Sequence, residues 1–230
     1  MDSDIRILRL EPILRTDRFR TPLKFGSVVV TDSTSLIVKA TVENKRGEFA
    51  EGWGSMPLMD KWAFPDPKVP HEKKFEAMKE IGIRTCRMLE KRASRKYAHP
   101  IDIMLENKRE ILKIAKRVDG EIGLEKPMPI LGVLVSTSPI DAAIHDAFGR
   151  VNKISSYEGY GREYMSRDLS YHLGEEFRGR YISDYLRPIY SEKLPIFHLV
   201  GALDKLRRDA VDASDPKDGL PVSLEEWIER

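Results

Sequence analysis

The sequence predicts an α+β protein, strands first and helices after. Three observations carry this. The first quarter is a series of short β-branched runs with turn residues between them. From about residue 71 the apolar spacing changes to a helical period. Near residue 140 comes a segment with helix-start chemistry and a full apolar stripe.

The strand region opens at Ile5–Leu10, which alternates, with Ile5 and Ile7 on one side and Arg6, Leu8 and Leu10 on the other. Gly26–Thr31 and Ser35–Val42 are rich in Val, Ile and Thr, and Asp32-Ser33-Thr34 between them reads as a turn. Phe49–Trp53 follows a second turn cluster, Asn44-Lys45-Arg46-Gly47. Consecutive strands with short connections predict an antiparallel meander.

A helix is then expected over His71 to about Arg95, and another over Ile103–Val118, with Gly120 and Gly123 past its end. Ser138-Pro139-Ile140-Asp141 reads as an N-cap serine, a proline at the first helical position and an early acid. Ile140, Ala143, Ile144, Ala147 and Phe148 complete the stripe of that third helix. Residues 153–187 are rich in Tyr and Gly and give no clear assignment. Leu194–Val200 reads as a short buried strand. Ser223-Leu224-Glu225-Glu226 is a capping box, yet the sequence stops about two turns into the helix it opens. Two expectations stay open: a chain cut short, or a short terminal helix docked on the body.

Composition excludes several classes. The 230 residues are 41% hydrophobic and 33% charged, enough for a packed core. Lys and Arg number 39 against 37 Asp and Glu, a near balance that speaks against a nucleic-acid partner. No apolar run reaches the roughly 18 residues of a membrane span. The N-terminus lacks a signal-peptide core. A lone Cys86 forms neither an internal disulfide nor a cysteine zinc site. The expectation is a soluble, cytoplasmic protein that engages neither nucleic acid nor membrane.

No self-contained catalytic motif is present: no G-x-x-x-x-G-K-S/T, no G-x-S-x-G, no H-E-x-x-H, no C-x-x-C. Asp141, His145 and Asp146 are the nearest approach to a ligand cluster, but a capping Asp141 with two polar-face neighbours carries more weight. His198, inside Leu194–Val200, reads as a core histidine or, with less weight, as a contact at a barrel strand. His71 and His99 read as helix-boundary residues. The segment Gly52–Pro67, GWGSMPLMDKWAFPDP, combines two Trp, a Phe and two Met with almost no reactive groups.

Taken in order, these stretches resemble a family. Arg20–Gly26 leads into the second strand, Glu51-Gly52-Trp53-Gly54 follows, then Trp62-Ala63-Phe64-Pro65, the helices, and Ser138–Gly149. The order is similar to the N-terminal capping domain of the enolase superfamily, in its mandelate racemase/muconate lactonizing enzyme branch. The resemblance implies a capping domain over 1–150, a linker and irregular segment over 151–193, and over 194–230 the first βα unit of a truncated TIM-type barrel. It implies proton abstraction α to a carboxylate, of racemase, isomerase or dehydratase type, with Mg²⁺ stabilising the enediolate. The bases and metal ligands of that chemistry belong to later barrel strands, and a barrel needs about 200 residues or more. No catalytic residue and no metal ligand therefore carries over, and Mg²⁺ is not expected on this chain. Two cap loops, mapping to about Thr16–Lys24 and Gly52–Pro67, would shape the substrate end, with Phe19, Arg20, Met56, Lys61, Trp62 and Phe64 as candidates. The implied partner is a small carboxylate-bearing substrate, with a homo-oligomer possible. The alternative is a non-catalytic binding or interaction module derived from the cap.

Overall fold

A computed structural model describes residues 1–26, 28–197 and 199–230, with residue 25 by its backbone alone. The fold is α+β: a three-stranded antiparallel meander followed by helices. The strands are β1 (Ile5–Phe25), β2 (Val28–Asn44) and β3 (Phe49–Pro57), in sheet order β1-β2-β3. The helices are α1 (Asp60–Ala63), α2 (His71–Ala93), α3 (Pro100–Ile122), α4 (Ile130–Asn152), α5 (Ser170–Leu173) and α6 (Leu224–Glu229). Among the described residues no helix is long and apolar enough to cross a membrane.

The chain divides into two compact units. The first comprises Met1–Arg15 and Ser35–Pro188 and holds the hydrophobic core. In it β2 pairs with β3 from Ser35↔Pro57 to Glu43↔Phe49. Strand alternation puts Leu36, Val38, Ala40 and Val42 on the inner face, opposite Met56, Gly54, Gly52 and Ala50. The four β2 residues are fully buried. Helix α4 lies on this face at backbone contact. A Cβ on Gly52 would sit 2.1 Å from Ala147 N, and one on Gly54 would sit 2.1 Å from Pro139 O. Only glycine permits that approach.

The second unit comprises Thr16–Thr34 and Ile189–Arg230. It contains the outer parts of β1 and β2, where Thr16 Oγ1 and Thr34 Oγ1 lie 2.8 Å apart. Its capping box forms as the sequence predicts: Ser223 Oγ accepts from Glu226 N–H, and Glu226 returns a bond to Ser223 N–H.

Three expectations need correction. Asp32-Ser33-Thr34 is not a turn. It lies within β2, whose exposed arm tolerates polar residues, and the reversal comes at Gly26, where φ is 59°. Helix α4 starts at Ile130, eight residues before the expected cap, and Pro139 lies inside it. Proline removes the N–H that would bond Val135 O, and Ser138 Oγ–H takes that carbonyl at 3.0 Å. Ser136 and Thr137 donate to Gly132 O and Val133 O in the same way, so the hydroxyl run is helix interior. Leu194–Val200 is irregular in its described residues, with Leu194, Ile196, Phe197 and Leu199 exposed. A strand needs neighbours to satisfy its backbone, and none pairs there among the described residues. His198 lies outside the described residues.

His99 is the N-cap of α3, as its boundary position suggests. Its Nδ1 accepts from Ile101 N–H, and its Nε2 lies 3.0 Å from Gly159 O. Nδ1 is thus the acceptor, and Nε2 carries the proton it donates to Gly159. Burial, with a smaller contribution from His145, pushes the imidazole down to about 4 from 6.5. Cys86 is buried, and burial pushes its thiol up to about 12.

Three outcomes are expected. Gly52→Ala and Gly54→Ala should each cost about 3 kcal/mol in urea denaturation. Gly120→Ala, where a Cβ meets nothing within 4 Å, should gain about 0.5–1 kcal/mol in a helix. Because His99 is neutral when folded and protonates below 6.5 when unfolded, stability should fall as pH drops from 6.5 towards 4. The contribution is on the order of 3 kcal/mol. Denaturation midpoints across that window should lose this slope in His99→Gln, and an unchanged slope would refute the assignment.

Candidate functional site

The candidate surface is built on the chain leaving β3. Alternation turns Gly52, Gly54 and Met56 inward and leaves Trp53 on the outer face. Trp53 is 47% exposed; its backbone N–H donates to Asp146 Oδ2 of α4 at 2.9 Å, and Lys39 Nζ lies 5.7 Å from its ring centre. Asp146 is thereby a link between helix and strand. Asp141 lies mid-helix, not at a cap, and sits 3.5 Å from His145 Nε2. His145 Nδ1 contacts Tyr160 OH at 3.0 Å. Among the described residues no three His, Cys, Asp or Glu side chains are grouped to hold a metal ion.

After β3 the chain makes the single turn α1 and a loop running to Pro70. Proline-broken backbone of this kind needs partners for its carbonyls, and α2 supplies them through Lys74. Lys74 is 6% exposed, and its ammonium donates to Phe64 O and Asp66 O, both at 3.2 Å. It also lies 3.2 Å from Asp60 Oδ2, whose other oxygen contacts His71 Nδ1 at 2.8 Å. Asp60 is buried as well. One buried cation therefore gathers both ends of the loop around a buried carboxylate. Lys126 holds Asp66 from outside at 2.5 Å and, with the Lys68 N–H, keeps that carboxyl below its usual range.

On this frame the expected contact residues separate by role. Phe64 is 4% exposed and packs in the core, with Lys74 Nζ 5.8 Å from its ring centre, so it supports the loop from beneath. Met56 is half-buried against the core. Trp62 stays 48% exposed, and Lys61 is partly exposed beside it. Their accessible chemistry is an indole face and an ammonium, which suits binding and water exclusion.

Phe19 and Arg20 belong to the second unit. The stretch mapped as a cap loop there is strand β1. Phe19 is half-buried. Arg20 forks onto Asp218 at 2.7 and 2.8 Å and donates to Pro221 O and Leu220 O at 3.0 and 3.1 Å. Its guanidinium holds the Asp218 carboxyl well below the usual range. Four of its hydrogen bonds are already committed within the unit.

Sequence reasoning missed Lys74 and Asp60, and read Asp146 as a polar-face residue where it ties α4 to β3. A signal for Lys74 was present: it precedes Ala77, Met78 and Ile81 at i, i+3, i+4 and i+7, the apolar stripe of α2. A lysine on a buried stripe needs a buried partner. Lys74→Met keeps the bulk and removes the donor, leaving Asp60 and two carbonyls short. It should cost about 3 kcal/mol, with faster hydrogen exchange across residues 60–68. Lys61→Ala should change stability by less than about 0.5 kcal/mol.

No protein-family model matches the chain, and no curated protein matches it. Among solved structures it is similar to an enolase from Bradyrhizobium complexed with magnesium and mandelic acid. The identity is 17% and the TM-score 0.39, over 73% of this chain and 37% of that one. It is also similar to the L-Ala-D/L-Glu epimerase from Bacillus subtilis in a substrate-liganded complex. There the identity is 15% and the TM-score 0.33, over 63% of this chain and 31% of that one. The chain thus spans about a third of the length of each.

Proposed function

We propose that the chain is the capping, specificity-shaping portion of a Mg²⁺-dependent enzyme of the enolase superfamily, acting by proton abstraction α to a carboxylate. One observation supports this above the others. The two stretches that carry the sequence resemblance, Gly52-Trp53-Gly54 and Ile140–Gly149, are packed backbone to backbone, and the aromatic segment follows directly from the first. A cap of this kind contributes by excluding water and contacting substrate, which strengthens electrostatics at a reacting centre elsewhere.

Within that reading, Trp62 and Lys61 face a small carboxylate-bearing substrate, with Met56 lining and Phe64 supporting. Phe19 and Arg20 of the second unit are proposed separately as substrate-side contacts, Arg20 through the N–H that its bonds to Asp218, Pro221 and Leu220 leave over. The described residues do not fit a Mg²⁺ site, since no three carboxylate or imidazole groups converge. No step of the reaction is therefore assigned to this chain, and its catalytic groups are taken to lie outside the 230 residues. A cytoplasmic setting and a homo-oligomer belong to the same proposal.

The second reading, a non-catalytic interaction module, draws on the half-exposed Trp53 and Trp62. Proton exchange separates the two from an unforeseen active site. The chain, incubated in D₂O with Mg²⁺ and a panel of 2-hydroxy and 2-amino carboxylates, should exchange no α-proton above the blank by NMR. Exchange abolished by chelator would sink the assignment of catalysis to residues elsewhere. Reading the coding sequence past the Arg230 codon distinguishes the rest: a K-x-K strand with spaced acids supports the cap of an enzyme, and a stop codon favours the module.

A further inference from the structure

Helices α2 and α3 of the first unit enclose a groove of about 380 Å³ on their outer side. It is lined by six cations, Arg84, Arg87, Lys91, Arg92, Lys113 and Arg117, against one carboxylate, Glu110. The chain as a whole is almost neutral, at +2, so this face concentrates positive charge that the composition hides. Helical spacing explains it. Arg84, Arg87 and Lys91 stand at i, i+3 and i+7 on α2, while Lys113 and Arg117 stand at i and i+4 on α3.

The fold leaves much of this charge unanswered. Arg84 is tied to Glu80 at 2.8 Å and Glu121 at 2.6 Å, and Lys113 to Glu110 at 2.8 Å. Among the described residues Arg92 hydrogen-bonds the neutral Asn107 Oδ1, with Glu110 acting on it and on Arg117 by charge alone. Glu90, the nearest acid in sequence, turns away and accepts from Leu10 N–H at 2.7 Å. Arg87, Lys91 and Arg117 are exposed and have no ion pair among the described residues. Like charges held this close repel, and an anion in the groove relieves that repulsion. The floor is apolar, formed by Met88 and Ile114.

We propose that this groove binds a small soluble anion carrying two or more adjoining phosphate groups, with the uncharged part of the ligand over Met88 and Ile114. The volume is that of a small-molecule site, not of a protein footprint. Guanidinium forks match phosphate oxygens in pairs. An extended acidic peptide spaces its carboxylates along one side of a strand, about 7 Å apart, and brings fewer charges into the same volume. The site stands apart from the proposed cap surface and does not depend on that assignment.

Calorimetric titration of the 230-residue chain with inorganic tripolyphosphate tests the site, with hexaglutamate as the second probe. Tripolyphosphate should bind saturably at one site and weaken about tenfold or more in Arg87→Gln/Arg117→Gln, a loss equivalent to about 1.4 kcal/mol. The pair Arg109→Gln/Lys116→Gln removes two exposed α3 cations outside the groove and should change binding less than about twofold. Both double variants replace exposed residues with a good helix former, and matching thermal melts show that each is folded. Lack of saturable tripolyphosphate binding, equal losses in the two pairs, or hexaglutamate binding as tightly as tripolyphosphate would each overturn the proposal.

Discussion

The packing of the first unit depends on the backbone contact between β3 and α4. With no Cβ at Gly52 and Gly54, the helix comes down onto the strand until main-chain atoms touch. That closeness lets Ile140, Ala143, Ile144 and Ala147 pack fully buried in the core that includes Leu36, Val38, Ala40 and Val42. It also brings Asp146 within reach of the Trp53 N–H. Polar ties fix the far end: Asn44 Nδ2 reaches Val151 O, and Asn152 donates to Ser3 O. Apolar burial supplies the stabilisation, and the two glycines set the distance at which it is gained.

Helices α2 and α3 were legible because each has a strong helical period, although α3 runs Pro100–Ile122 and takes in Gly120, which the sequence reading placed past its end. His71 opens α2 where the sequence says, and Gly123 closes α3 in the left-handed conformation. The start of α4 was not, because Ser-Pro-x-Asp carries the signs of a helix N-terminus. In this chain the same serine repairs the hydrogen bond the proline removes, so one local signal has two opposite solutions. Only the burial of Val133 and Val135, a tertiary fact, selects between them. The false turn at Asp32–Thr34 fails for a related reason: turn residues are permitted wherever a strand is exposed.

The candidate site was half legible. Its aromatic content is visible in sequence, but the division into exposed Trp62 and buried Phe64 is decided by which carbonyls Lys74 reaches. Lysines are read as surface residues by default, and a buried one is found only by noticing which face of α2 it occupies. Arg20 shows the converse. It reads in sequence as a free anion contact, and four of its five N–H groups are bonded to Asp218, Pro221 and Leu220.

The pairing of β3 with α4 has a consequence for how the chain reaches its fold. It joins residues 52–54 to residues 139–147, closing a loop of about ninety residues, among the slower kinds of contact to form. During synthesis, at about 5–20 residues per second, the meander emerges several seconds before its cover. In that interval the row of Leu36, Val38, Ala40 and Val42 faces water. The glycines that later admit the helix also leave the inner face of β3 short of large apolar side chains, so that face offers a neighbouring chain less to adhere to.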